Sequence, residues 1–297
     1  MRHFWQKFVV YLTLASSLLL SASLWAAGVS VPPAFPNKLP PDIALIKHNG
    51  VLRVAFVKNS EPPFFMINSK GQWSGIEVDL AQMIADELQV KLVIVPTDTY
   101  DHIIDKVANG QADLGMGLIN IMPARELRVS FTNPYYIYHP HVLVNRMQAA
   151  KRGWPMWQWV EKAETTTEPF TLGYLKGSVG GTLIQKMAPS AQAIPYNTVY
   201  AAMDDVVAGK IFAAGANSPM QAQDYLASHS KASLVAADVE VSQVTYLIGA
   251  AMPWQYIYFR DWLNLYMDYL VQNGLETKLF QKYNQTVDPS NEFSYPK

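Results

Sequence analysis

Short apolar runs of strand length alternate with helical stripes along this chain, twice over, and that alternation restricts it to α/β architectures. Residues 51–56 are an apolar run of strand length. Ile76, Leu80, Met83, Ile84 and Leu88 then recur at i, i+4, i+7, i+8 and i+12, one apolar stripe of helical period. Residues 90–95 form a β-branched strand, and Ile103, Ile104 and Val107 mark a shorter helix closed by Asn109-Gly110. Residues 112–116 complete the series as a buried strand. Strands separated by helices imply parallel pairing and a sheet covered on both faces.

The pattern stops after Pro134-Tyr135-Tyr136. Residues 147–167 carry Trp154, Trp157 and Trp159 without strand alternation. A second series follows: a strand at 170–175, a Gly177–Gly181 loop, a helix at 183–187, a strand at 191–195 and a helix at 199–208. Further strands are expected at 211–214 and 232–235, with a helix at 220–227 between them. An apolar run at 244–252 precedes two helices, 256–272 and 275–283, divided by Asn273-Gly274. Two α/β units in series, closed by helices, are the expected body.

Composition narrows the function. Hydrophobic residues make up 50% and charged residues 16%, with a formal charge of -1, so cores are expected and no basic stripe could track phosphates. Nucleic acid is excluded as a partner. Cysteine is absent, which excludes disulfides, thiolate nucleophiles, Cys-ligated zinc and a lipid-modified cysteine. Arg2, His3 and Lys7 precede an apolar stretch at 8–25 and the small residues Ala26-Ala27-Gly28, the order of a cleavable secretory signal peptide over 1–26. Serines and Thr13 dilute that stretch, which barely reaches spanning length. A proline-rich leader follows over 27–47.

Specific segments resemble the bacterial extracellular solute-binding proteins of family 3, the periplasmic amino-acid-type receptors of ABC importers. They are Gly50-Val51-Leu52-Arg53-Val54 with Pro63-Phe64, Gly75-Ile76-Glu77-Val78-Asp79-Leu80, and Gly110-Gln111-Ala112-Asp113-Leu114-Gly115. Most specific is Pro123-Ala124-Arg125 followed by Phe131-Thr132-Asn133-Pro134-Tyr135-Tyr136. Leu175-Lys176-Gly177-Ser178 and Asn273-Gly274-Leu275-Glu276-Thr277-Lys278-Leu279 continue the match. The resemblance runs from His48 to Tyr283. It implies a two-lobed periplasmic binding protein type II fold, with 48–138 plus 251–297 as lobe 1, 139–250 as lobe 2, and crossovers near 138–142 and 249–252.

The resemblance also implies a site. Arg125 stands where the family binds a ligand's α-carboxylate, a task that suits a planar guanidinium fork. Asn120 and Leu118 fall at backbone-contributing positions, and Phe64 and Tyr100 at stacking positions. Ser178, Val179 and Gly180 precede a helix, where amides can receive an anion, while Ser178 can equally cap that helix. One departure stands out: Phe212 replaces a motif aspartate, and Asn217 replaces the acid that bonds the ligand's ammonium. Asn217 offers one neutral acceptor and an NH₂ donor that opposes an ammonium. A carboxylate ligand lacking an α-ammonium is thereby implied, or one whose amine reaches another acid such as Glu61.

Other chemistry was weighed on the same residues. His139-Pro140-His141 could place two imidazoles on one strand face, but no third ligand is near in sequence. No metal or cofactor is expected. A cyclohexadienyl-dehydratase-like enzyme is the alternative on this fold, with Glu61 or Asp101 as acid, and a ligand-sensing subunit is another. The leading expectation is a monomeric periplasmic binding protein, not an enzyme, serving an ABC permease. Export predicts a mature chain beginning near Ala27; N-terminal sequencing of exported protein checks this, and a membrane-bound form retaining Met1 would contradict it.

Overall fold

The computed structural model describes residues 38–216 and 218–283. The expected signal peptide, most of the leader and Asn217 lie outside the described residues. The first described helix, Pro41–Asn49, takes up residues that the prolines suggest are leader. Pro41 occupies its first position, where a missing N–H is harmless, and Gly50 ends it in a left-handed conformation at φ 67°.

Strand β1 (Val51–Val57) is almost wholly buried, as befits the centre of a sheet covered on both faces. A two-stranded hairpin, β2 (Met66–Ile67) with β3 (Trp73–Ser74), leads to helix Ile76–Glu87. The stripe Ile76, Leu80 and Ile84 is buried as its spacing requires, with Met83 at the edge. Strands β4 (Lys91–Thr97) and β5 (Leu114–Gly115) flank β1 in parallel, with helix Tyr100–Ala108 between them in sequence. β6 (Ser130–Phe131) and β14 (Ala251–Met252) complete the first sheet, in the order β4-β1-β5-β14-β6.

Between the sheets lie β7 (Tyr136–Tyr138) and β13 (Tyr246–Ile248), which pair antiparallel with each other. The second sheet contains β8 (His141–Asn145), β9 (Phe170–Leu175), β10 (Ala191–Tyr196), β11 (Ala213–Ala216) and β12 (Ala236–Glu240). Its order, β10-β9-β11-β8-β12, repeats the first. The expected all-parallel pairing holds for half of each sheet. In the other half, β14 enters the first sheet antiparallel as the chain returns, and β8 enters the second sheet antiparallel as the chain leaves. A strand arriving from the other lobe enters from the cleft end and so runs against its neighbours.

Several local readings shift. Residues 232–235 form a helical turn, not a strand, and Leu234 is exposed; the strand begins at Ala236, where small alanines fit beside Asn145 and Val144 of β8. β11 lies two residues later than expected. The tryptophan-rich segment forms helices Arg146–Lys151 and Trp159–Thr165. Its rings explain Phe212, which packs on Trp154, Phe170 and Trp159 at centroid distances of 5.3, 5.5 and 6.1 Å. Phe212 is therefore core, 1% exposed in an aromatic cluster with the Arg152 guanidinium 5.5 Å from its ring.

Gly75 fixes the start of the first long helix. Its φ is 126°, and a Cβ there would lie 2.4 Å from the Phe64 carbonyl oxygen. Gly75→Ala is expected to lower unfolding free energy by more than about 2 kcal/mol, because neither backbone strain nor the backbone clash can relax cheaply. Urea unfolding with an unchanged midpoint would contradict this.

Candidate functional site

The carboxyl ends of strands in both sheets converge on one cleft, the place where α/β sheets offer loops and helix starts to ligands. Its volume is about 1000 Å³, counting space open to solvent. Tyr100 follows β4, Leu118 and Asn120 follow β5, Ser178 follows β9, and Ala216 ends β11; all line it. Tyr138 and Tyr246 line it from the crossover ladder, with ring centroids 5.4 Å apart, edge to face.

Arg125 lies on the four-residue helix Pro123–Glu126. An ordinary surface turn would expose the arginine and bury the leucine. Here Arg125 is 9% exposed while Leu127 is 88% exposed. One guanidinium nitrogen donates to the Asn120 carbonyl at 3.2 Å, and another lies 3.6 Å from the Asp101 carboxylate. Burial lowers the Arg125 pKa, against the opposing pull of Asp101. A guanidinium remains charged nonetheless, so this cleft wall presents a desolvated cation.

A buried acid shapes the loop beside it. Glu77 accepts from the Gly117 amide at 3.1 Å and from the Tyr135 hydroxyl at 2.8 Å. That clamp holds Gly117 and Leu118 in left-handed backbone, at φ 103° and 59°, and so aims the Leu118–Asn120 segment at the cleft. Burial pushes the Glu77 carboxyl up to about 7, while the Tyr135 and amide hydrogen bonds work against that rise. Glu77 belongs to the Gly75–Leu80 motif, yet its place on a helix's first turn gave no sign of this clamp.

The second lobe supplies Ser178, Val179 and Gly180. The Ser178 hydroxyl donates to the Leu175 carbonyl at 2.7 Å and accepts from the Gly180 amide at 3.2 Å. Ser178 thus closes a serine turn that occupies one amide here, while the N-cap position itself falls to Val179 without a side-chain bond. Phe64 is elsewhere: it is 2% exposed and packs on Tyr136 at 5.2 Å, outside the cavity lining. Asn217 is not described, but its neighbours are: Ala216 lines the cleft and Ser218 is buried.

Among the described residues, contacts from Glu61, Asn59 and Gly177 join the lobes across the cleft. Glu61, 2% exposed, accepts from the Ser218 hydroxyl at 3.2 Å and from the Gln221 side-chain amide at 3.1 Å. Asn59 donates to the Asn197 carbonyl at 3.1 Å. Gly177 packs on Thr99 so closely that a Cβ would meet its side chain at 2.9 Å. These partners are over 100 positions apart in every case but one, beyond the reach of local pattern. The two crossover histidines are separately engaged: His139 meets the Val244 carbonyl at 2.7 Å, and His141 meets Asp238 at 2.8 Å. Among the described residues, no group of three His, Cys, Asp or Glu could hold a metal, and no helix is long and apolar enough to cross a membrane.

Residues 52–286 match the family of bacterial extracellular solute-binding proteins, family 3. The fold is that of its solved relatives. A binding component of an ABC transporter from Wolinella succinogenes, complexed with lysine, is 25% identical with a TM-score of 0.68, covering 81% of this chain and 97% of that one. AncCDT-1, an ancestral amino acid-binding protein and precursor of cyclohexadienyl dehydratase, is 26% identical with a TM-score of 0.67, covering 81% and 98%. A cyclohexadienyl dehydratase of Pseudomonas aeruginosa is 36% identical over 90 residues, 30% of this chain and 33% of the relative. The matched stretches span about a third or less of the curated relatives' length.

Glu77 makes stability depend on pH. Its folded value of about 7 exceeds the ordinary 4.5, so the folded chain keeps a proton that the unfolded chain releases between those values. The resulting stabilisation is full below the ordinary value and is lost as pH rises through the folded one. Thermal melts are expected to show a shallower decline between about pH 5 and 8 in Glu77→Gln than in wild type; parallel profiles would contradict the assignment.

Proposed function

Because the chain belongs to the bacterial extracellular solute-binding proteins, family 3, we propose that it captures a small carboxylate-bearing solute, an amino acid or related acid, in the interlobe cleft. It works in the periplasm and delivers the solute to the membrane permease of an ABC importer. The observation that carries this reading is Arg125, a nearly buried cation on the cleft wall beside a fully exposed leucine. Burying a guanidinium is costly unless an anion meets it. Asp101, its acidic neighbour, is 69% exposed and 3.6 Å away, which leaves room for a bidentate partner.

The remaining roles follow from position. Tyr100 supplies an aromatic wall, and the Leu118–Asn120 segment supplies backbone groups. Ser178, Val179 and Gly180 approach from the other lobe, and closure brings that turn onto the solute. By the family resemblance alone, Asn217 stands where relatives carry an acid, and as a neutral residue it favours a solute recognised through its carboxylate rather than an α-ammonium. Glu61 is already occupied by Ser218 and Gln221.

The neighbours support the carboxylate: one is complexed with lysine, and a Streptococcus pneumoniae amino acid transporter protein, 25% identical with a TM-score of 0.65, is bound to L-arginine. A thermal-shift screen of amino acids and simple mono- and dicarboxylates identifies ligands, since 100-fold saturation raises stability by about 2.7 kcal/mol. Turnover of any of them would overturn the binding role in favour of an enzyme. For a ligand so found, Arg125→Ala is expected to weaken binding by about 2–5 kcal/mol, roughly thirtyfold to several thousandfold. Calorimetry showing less than about a threefold loss would remove Arg125 from the site.

A further inference from the structure

The cleft continues past its polar mouth into the body of the second lobe. Leu183, Ile184 and Met187 line it at i, i+1 and i+4, one face of helix Gly180–Met187. Trp159, Val160 and Ala163 line it with the same spacing from helix Trp159–Thr165, and Leu172 of β9 lies between them in the lining. None of the residues of helix Gly180–Met187 is buried. A sheet-covering helix ordinarily buries its apolar stripe. This one leaves three large apolar side chains facing the cavity, where a ligand's apolar surface would remove them from water.

Trp159 forms part of the wall of this extension. Trp159 is 3% exposed, and its indole N–H is buried with no hydrogen-bond acceptor among the described residues. The ring is fixed by stacking on Phe212, 6.1 Å between centroids and 24° between planes. A buried indole N–H ordinarily finds an acceptor, and leaving it without one is unfavourable.

We infer that this extension is a subsite for an apolar tail on the carboxylate solute. The inference rests on Arg125 as the carboxylate anchor, so the solute is a carboxylic acid with an apolar body, not a purely polar one. Arg125 and the apolar extension line one continuous cavity, so a single molecule can reach both.

Calorimetry with acetate, butanoate and hexanoate tests this on the full-length mature protein. Wild type is expected to tighten by about threefold per added methylene. Ile184→Trp, which fills the extension, is expected to flatten the series while leaving acetate within about twofold; Met187→Trp serves the same purpose if that variant misfolds. A flat series in wild type, with acetate binding still lost in Arg125→Ala, overturns the subsite and leaves the carboxylate site standing. Length dependence retained at full affinity in Arg125→Ala keeps the subsite and overturns the anchor. Failure of every acid to bind overturns both.

Discussion

Antiparallel pairing of Tyr136–Tyr138 with Tyr246–Ile248 is the constraint on which the rest of the molecule depends. The chain passes from one sheet to the other here, and it passes back here. The outgoing segment continues as β8 into the second sheet, and the returning one as β14 into the first. Each lobe is therefore completed by a strand whose direction the other lobe dictates. The ladder also lies against the cleft, where Tyr138 and Tyr246 form part of the wall. A two-strand connection of this kind permits bending about one line and resists independent drift of the lobes, which is how hinge closure operates in periplasmic binding proteins generally.

Across the cleft, packing of Gly177 on Thr99 is joined by polar contacts. Glu61 with Ser218 and Gln221, and Asn59 with Asn197, are hydrogen bonds that water can replace when the lobes part. Net contributions of such bonds are about 1 kcal/mol each. A solute bonded to both lobes shifts the population toward the closed form by as much as it binds that form better. Arg125 contributes in a different way: its desolvation is part of the folded state before any solute arrives, so the anion meets a preorganised partner.

How much of this was legible in sequence depended on range. The stripe Ile76, Leu80 and Ile84 and the strands β1, β4, β9 and β10 are local signals, and each formed where its period placed it. Antiparallel halves of the sheets were not legible, because β8 and β14 owe their direction to the fold's crossing and not to their own residues. Trp154 and Trp159 lacked a strand period and concealed two short helices. Phe212 looked like the loss of a motif residue, whereas three rings had already claimed its position for the core. In the cleft, Arg125, Asn120, Leu118, Tyr100, Ser178, Val179 and Gly180 lie in one lining, and Phe64 lies beneath Tyr136. Glu61 and Glu77 act through partners that sequence spacing could not pair, and the apolar extension draws its lining from two helices and a strand that are separate in sequence.

The central claim is a clamp whose lobes close on a solute. A chain without cysteine allows clean placement of a label pair, one on each lobe, at the exposed positions Lys70 and Leu234 after substitution by cysteine. Single-molecule energy transfer between those labels then reads the interlobe distance directly. With the acid that most raises the melting temperature, the account predicts that a broad or two-state distribution collects into a single narrow one, and that Arg125→Ala prevents the change. A bound acid that leaves the distribution unaltered would contradict it.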